Sequence, residues 1–371
     1  MTDDKTSPRF PIAKPPRLRE DSRHTSQTPR APHSQLPPSA PTLSSRTPIP
    51  LSSCAQTINL IARTNGVGLD RDVDLIHAAL SKAGYEVLIS HCREISPLRR
   101  YFPGKPRFAA NIFLERVFPR WFGSARTNLL IPNQERFPER HLKHLSRIDH
   151  ILCKSRHAED IFSGRGYPCQ HIGFTSTDLN DQNIRPDYQS FFHLAGRSTL
   201  KGTETVLDLW NKHPEWPELT IVQCRENAPD QVPANVRLIT EYIPHKEIKR
   251  HLNRHGVHLC TSLSEGWGHY IVEAMSCQAV VVTTDGPPMN ELVTPERGIT
   301  VPYSHSEPRH LGTNFHIDPD KLEKNIQELL MMPVDKKKQY GDAARAWFEE
   351  NDQHFNQHFP KTLQHLLSSQ P

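Results

Sequence analysis

Two carboxylates flanking a glycine turn are the residues best spaced to do chemistry: Thr261-Ser262-Leu263-Ser264-Glu265-Gly266-Trp267-Gly268-His269-Tyr270-Ile271-Val272-Glu273-Ala274-Met275. The apolar run 257–260 enters this stretch as a strand. Gly266 and Gly268 permit a tight turn before a helix that starts near His269. Backbone N–H groups converging at such a helix start suit a phosphate. Glu265 then lies in the loop and Glu273 in the early turns of the helix, so both carboxylates face a ligand lying across the loop. Carboxylates accept hydrogen bonds from sugar and ribose hydroxyls. The plainer alternative makes Glu273 a partner of the helix dipole and Glu265 a solvated loop charge.

A second cluster supplies the opposite charge. The apolar stretch 191–195 runs into Gly196-Arg197-Ser198-Thr199-Leu200-Lys201-Gly202, and two cations beside a departing diphosphate stabilise the charge that develops there. Downstream, Ala279-Val280-Val281-Val282-Thr283 reads as a buried strand, Thr284-Asp285-Gly286-Pro287-Pro288 as a rigid turn, and Met289-Asn290-Glu291-Leu292-Val293 as a new helix.

This order resembles the retaining glycosyltransferases of group 1 (glycosyltransferase family four), which have the GT-B fold. The resemblance covers most of residues 57–371 and is specific between Gly196 and Val293. It implies that Glu265 contacts the donor sugar, Glu273 the ribose, and Arg197 and Lys201 the pyrophosphate, with Arg197, Lys201 and Glu265 as the catalytic group. Gly266, Trp267, Gly268, His269 and Tyr270 then complete the donor site. Gly66 and Gly68, in Asn65-Gly66-Val67-Gly68, stand where the first-domain glycine loop approaches the phosphates from across the cleft. A plain structural turn is the alternative there.

In Ile131-Pro132-Asn133-Gln134-Glu135-Arg136-Phe137, Asn133 and Glu135 follow a strand at the cleft side and are candidates for contacting the sugar or the acceptor. The implied activity is a hexosyltransferase-like, metal-independent transfer from a nucleoside diphosphate sugar, with retention. No cofactor is expected beyond that donor, and the acceptor, whether glycan, lipid-linked or protein, is unidentified. A nucleotide-sugar epimerase or a sugar phosphorylase on the same fold is an alternative, as is a nucleotide-sugar-binding protein without turnover. Gly173-Phe174-Thr175-Ser176-Thr177 departs from the Pro-Asn-Gly turn common in the family, and the first domain is short.

The elements that must position these residues follow from apolar patterning. Strand, glycine turn, helix and strand alternate from residue 57 to about 175, and five further strands alternate with helices from 191 to 283. The fold class is therefore α/β, with two Rossmann-like domains facing across a cleft: 54–180 on the acceptor side, 181–345 for the nucleotide sugar, and closing helices over 346–371. Residues 1–53 form a Pro/Ser/Arg-rich tail. Its first 50 residues hold eleven prolines, eight Lys/Arg against four Asp/Glu, and no glycine, so it is expected to be disordered.

Bulk properties exclude several classes. A net charge of +4 over 371 residues argues no nucleic-acid partner. The seven cysteines show no CxxC pair or ligand spacing for a metal and read as reduced thiols. No apolar run approaches a bilayer-spanning length, and a cytoplasmic protein is expected. Residues 93–126 carry eight Lys/Arg, two Glu and seven aromatics. They read either as core aromatics beside solvated cations or as a peripheral surface for an acidic acceptor or anionic lipid.

Overall fold

The computed structural model describes residues 57–63, 68–96, 98 and 106–369. The tail, and Gly66 of the expected phosphate loop, lie outside the described residues.

The first sheet has six parallel strands in the order β2-β1-β3-β4-β5-β6. They are β1 (Thr57–Ala62), β2 (Glu86–His91), β3 (Phe108–Glu115), β4 (Ala125–Pro132), β5 (His150–Cys153) and β6 (Cys169–His171). Two helices accompany them: α1 (Gly68–Lys82) and α2 (Arg156–Ser163). Helix α1 turns Leu69, Val73, Ile76, Ala79 and Leu80 inward at spacings of three and four, as an amphipathic helix over a sheet must.

Residues 172–186 lead to the second sheet, also six parallel strands, ordered β12-β11-β10-β7-β8-β9. Its strands are β7 (Asp187–Gly196), β8 (Leu219–Gln223), β9 (Val236–Ile239), β10 (His255–Cys260), β11 (Val280–Thr284) and β12 (Ile299–Val301). Its helices are α3 (Thr203–Lys212), α4 (His245–Arg254), α5 (His269–Ser276) and the short α6 (Met289–Leu292). The strands beside the centre, β8, β10 and β11, are buried along their whole length, which is why they show no alternation of buried apolar with exposed polar residues.

The order reverses at β7. From β7 the chain moves outward through β8 and β9, then returns to pair β10 with the other side of β7. A parallel sheet opens a crevice at the carboxyl ends of the two strands where its order reverses. Those strands lead into the two motifs: Gly196–Gly202 follows β7 and Thr261–Gly268 follows β10. His193 holds the pair from inside, its Nδ1 2.7 Å from the Leu259 carbonyl and its Nε2 2.9 Å from Thr203 Oγ1. A carbonyl only accepts, so Nδ1 carries the proton and Nε2 accepts from the hydroxyl. Burial first, and Lys201 to a lesser degree, push this imidazole down to about 4, so it stays neutral.

One open alternative is decided by the structure, and two features differ from the sequence expectation. The described part of residues 93–126 takes the core-aromatic alternative: its 108–115 segment is β3, an interior strand, and Phe113, Trp121 and Phe122 are core residues, with Phe108 and Phe118 packed against them. Tyr101 and Phe102 lie outside the described residues. The second sheet has a sixth strand, β12. After it comes an antiparallel hairpin, β13 (Tyr303–Arg309) and β14 (Gly312–Ile317). The polar strand β13, exposed over nearly its whole length, offers no apolar alternation to read.

Helices α7 (Pro319–Met331) and α8 (Val334–Ser368) close the chain. Phe348, Phe355, Phe359 and Leu363 of α8 share one core with Ile76 and Leu80 of α1 and with Ala274 and Met275 of α5. Asn351 Nδ2 donates to the Phe174 carbonyl at 2.8 Å, and Arg345 to the Ser276 carbonyl at 2.9 Å, so α8 ties both sheets together. Phe355→Ala should therefore lower the unfolding free energy by about 3 to 5 kcal/mol in a denaturant titration. A loss below about 1 kcal/mol would mean that this side chain is not core.

Candidate active site

The loops after β7 and β10 are bonded to each other. Leu263 N–H donates to the Leu200 carbonyl at 2.9 Å, and Thr261 Oγ1 to the Lys201 carbonyl at 2.7 Å. Lys201 Nζ consequently stands 2.5 Å from Glu265 Oε1 and 3.5 Å from the centre of the Tyr270 ring. Ser262 Oγ adds a contact to Glu265 Oε1 at 2.6 Å and one to the Tyr270 hydroxyl at 2.5 Å. Burial, with Cys260 and Glu265 nearby, pushes the Tyr270 phenol well above its ordinary range. Gly268, at φ +107, precedes α5 in a conformation that only glycine adopts without strain, so the first N–H groups of the helix face the same loop.

Residues from the first sheet close on this loop from across the cleft. Arg71 Nη1 in the first turns of α1 reaches Glu273 Oε1 at 2.6 Å, and Glu273 is 1 % exposed. Beside it, Asp72 Oδ1 meets His269 Nε2 at 2.8 Å and Asp72 Oδ2 meets Lys154 Nζ at 2.8 Å. Burial alone would raise the Asp72 carboxyl, but Lys154 and His269 outweigh it and hold it below its usual value. The other imidazole nitrogen of His269 lies 2.9 Å from Ser176 Oγ, which also accepts from Trp267 Nε1 at 3.3 Å. His269 and Trp267 thus join the two halves through Asp72 and Ser176. Glu291, accepting the Arg156 and His157 N–H groups at 2.8 Å each, adds a second bridge.

A 3-10 turn at Gln134–Arg136 brings in Asn133 and Glu135. Gln134 Nε2 donates to the Glu265 carbonyl at 2.9 Å. The approach leaves no space for a side chain at position 266, where a Cβ would lie 2.6 Å from Asn133 Oδ1 and 3.0 Å from Glu135 Oε2. Burial, then Glu265, raises the Glu135 carboxyl to about 7 against the pull of its own backbone N–H, Lys154 and Arg136.

Four side-chain oxygens at this junction, Asn133 Oδ1, Gln134 Oε1, Glu135 Oε2 and Glu273 Oε2, are buried without a hydrogen-bond partner among the described residues. Buried acceptors without partners are rare and costly, and three on consecutive residues against the Gly266 turn, with a fourth on α5, mark a place where donors are to be supplied.

The structure therefore brings together Lys201, Glu265, Gly266, Trp267, Gly268, His269, Tyr270, Glu273, Asn133 and Glu135. Gly68 begins α1, three residues before Arg71 and four before Asp72. Arg197 stands apart: it is exposed and lines a neighbouring groove, while Lys201 faces Glu265. Arg71, Asp72, Lys154 and Ser176 were not legible as site residues. Asp70-Arg71-Asp72 looks like any solvated first helical turn, and only the packing of α1 against α5 and the end of β5 gives Arg71 and Asp72 partners.

Two parallel sheets that meet with their nucleotide-type crevices facing each other decide the architecture. The fold is GT-B. The sequence profile of the family described as glycosyl transferases group 1 matches residues 231–347, a segment of the GT-B second half that includes Glu265 and Glu273. No curated protein matches the sequence. Among solved structures, the GT-B chain resembles a sucrose-phosphate synthase from Thermosynechococcus elongatus, at 15 % identity and a TM-score of 0.65, covering 85 % of this chain and 100 % of that one. HepE of Anabaena, solved with UDP and glucose, gives 13 % identity and a TM-score of 0.62 over 84 % of this chain and 100 % of that one. A glycosyltransferase from Rickettsia africae gives 12 % and 0.63 over 85 % and 99 %.

The raised Glu135 carboxyl yields a pH prediction. Its folded value of about 7 lies above its ordinary 4.5, so the folded state holds the proton longer than the unfolded one. Stability contributed by this group is then full below pH 4.5 and is lost as pH rises through 7. Glu135→Gln should be more stable than the parent at pH 8, on the order of 2 to 3 kcal/mol, with the gain vanishing near pH 4. Denaturant midpoints at both pH values check it, and a pH-independent difference would contradict the buried, ionising carboxylate.

Proposed function

We propose that the chain is a glycosyltransferase that moves a hexose from a nucleoside diphosphate sugar to an acceptor hydroxyl with retention of configuration. The observation that carries this reading is the set of buried, partnerless acceptor oxygens on Asn133, Gln134 and Glu135 against the Glu265–Gly266 turn and on Glu273 of the α5 that follows it. Sugar and ribose hydroxyls are the donors such oxygens lack, and a diphosphate is an anion suited to the α5 N–H groups and to Lys201, which Glu265 alone neutralises among the described residues. The family match across 231–347 and a GT-B relative solved with UDP and glucose support the same ligand class.

In this reading Lys201 and the Gly266–His269 turn hold the diphosphate, while Arg197, on the outer side of the same loop, faces the neighbouring groove. Glu273 takes the ribose hydroxyls through Oε2, the oxygen that Arg71 leaves free. Glu265 and Asn133 face the sugar. As the anomeric C–O bond to the diphosphate breaks, its electron pair goes to the phosphate oxygen. The acceptor oxygen bonds to the same carbon from the same face, and its proton passes to that phosphate oxygen. Lys201 then stabilises a charge larger in the transition state than in the bound donor, which is the requirement for accelerating the step. No protein nucleophile takes part. Metal independence accords with the reading, since the cationic part is played by Lys201 and the N–H groups at the head of α5.

The two glutamates should separate in experiment. Glu273→Gln should raise the Kd for UDP, which has ribose but no sugar, by about 10- to 100-fold. Glu265→Gln should leave that Kd within about twofold while lowering turnover of the intact donor. Calorimetry with UDP, beside turnover measured on UDP-glucose and other nucleotide sugars, tests the assignment. Equal effects of both substitutions on UDP affinity would overturn the division, and UDP binding untouched by either would remove the donor from this site.

A further inference from the structure

On its outer side the loop after β7 borders a groove of about 400 Å³ with a single sign of charge. Arg116, Arg136, Arg140, Arg197, Arg309 and His310 line it. They come from separate places in the chain: Arg116 from the end of β3, Arg136 and Arg140 from the 3-10 turns after β4, Arg197 from the β7 loop, and Arg309 and His310 from the hairpin tip. Glu115 pairs with Arg116, and Glu135 lies 3.8 Å from Arg136 Nε. Arg140, Arg197 and Arg309 have no carboxylate within 4 Å among the described residues, and Arg309 Nε is buried with no hydrogen-bond partner there. Burial first, then Arg116 and Arg140, lower the neighbouring His141 imidazole, a sign of the field they make.

The backbone is bent to build this wall. Among the described residues, three other than glycine have a positive φ, and two of them border the groove: Glu115 at φ 66 and His310 at φ 52. Such positions cost energy and persist where the surroundings impose them. Five guanidinium groups drawn together also repel one another, a cost that a bound anion removes. Guanidinium forks match the oxygens of phosphate and carboxylate in pairs.

The groove adjoins the sugar end of the donor site. Arg136 directly follows Glu135, whose Oε2 lies against Gly266, next to Glu265. None of residues 265 to 273, nor Lys201, lines it, so it is not the place where the α5 N–H groups and Lys201 would hold the diphosphate. We propose that this groove holds the anionic group of the acceptor, a phosphate or carboxylate borne by the molecule whose hydroxyl receives the sugar. The inference rests on the donor assignment of Lys201, Glu265 and Glu273. The anionic group takes no part in bond making. It stays on the arginines while the acceptor hydroxyl oxygen bonds to the anomeric carbon, the bond to the diphosphate breaks, and the hydroxyl proton leaves with the phosphate oxygen. Its contribution is orientation, which turns an encounter into a positioned reaction.

The test is calorimetry on the full chain saturated with UDP, titrated with inorganic phosphate, glucose 6-phosphate, glucuronate and, as the neutral control, glucose. Inorganic phosphate and at least one of the two charged sugars should bind, with glucose giving no heat, and the charged sugar that binds shows whether the acceptor bears a phosphate or a carboxylate. The variant Arg116→Gln/Arg140→Gln/Arg309→Gln should weaken phosphate binding by roughly tenfold or more while keeping the UDP Kd within about twofold. Should the triple variant fold poorly, Arg140→Gln alone, at an exposed position, should weaken phosphate about threefold. No phosphate binding to the UDP-saturated parent, or binding unchanged in the variants, overturns the proposal. So does a loss of about tenfold or more in UDP affinity in the triple variant, which would make the groove part of the donor site. Failure of UDP to bind the parent chain is a separate outcome that removes the donor assignment, while the phosphate titration still reads the groove.

Discussion

Strands β7 and β10 lie side by side although β8 and β9 come between them in sequence, and that pairing is the constraint on which the site depends. Because the order reverses there, no helix crossover covers the crevice at their carboxyl ends, and the two following loops meet. Lys201 and Glu265, sixty-four residues apart, are brought to 2.5 Å by it. The buried neutral His193, bonded to Leu259 and Thr203, holds both strands and the start of α3 in one register. A protonated imidazole in that position would be an unpaired buried charge, so the depression of its pKa and the rigidity of the crevice have the same cause.

A second constraint closes the cleft. Helix α1 presents Arg71 and Asp72 to α5, and α8 runs behind both, so the first sheet's half contributes charge partners to the donor loop. Glu273 is satisfied on one oxygen by Arg71 and left open on the other. His269 is fixed between Asp72 and Ser176, which orients its ring at the helix start without exposing it. The interface that joins the halves is therefore polar where the ligand is proposed to lie and apolar where α8 packs. A site of this kind is packed on its helical side and keeps its unsatisfied oxygens for the ligand proposed to cover them.

The sequence made some of this legible and hid the rest for physical reasons. The fully buried strands of the second half, Val280–Thr284 among them, read as continuous apolar runs, and the glycines at 266 and 268 announced the turn before α5. Glu265, Glu273 and Lys201 were legible because they sit in short segments attached to those strands. Arg71, Asp72 and Lys154 were not, since their partners lie on other helices and only tertiary packing pairs them. β3 was hidden by its aromatics, whose placement in the core leaves the neighbouring arginines looking like a surface patch. The hairpin was hidden because β13 is exposed and carries no alternation, yet its tip supplies Arg309 and His310. The arginine groove is assembled from four segments, none unusual in charge by itself, and no local pattern records it.

A crystal structure of the full chain with UDP tests the central claim most directly. The account predicts the diphosphate on Lys201 Nζ and the N–H groups of Gly266 to His269, and a ribose hydroxyl on Glu273 Oε2, with the arginine groove left free of the nucleotide. UDP bound with its phosphates among Arg116, Arg140 and Arg309, or with its ribose away from Glu273, would contradict it.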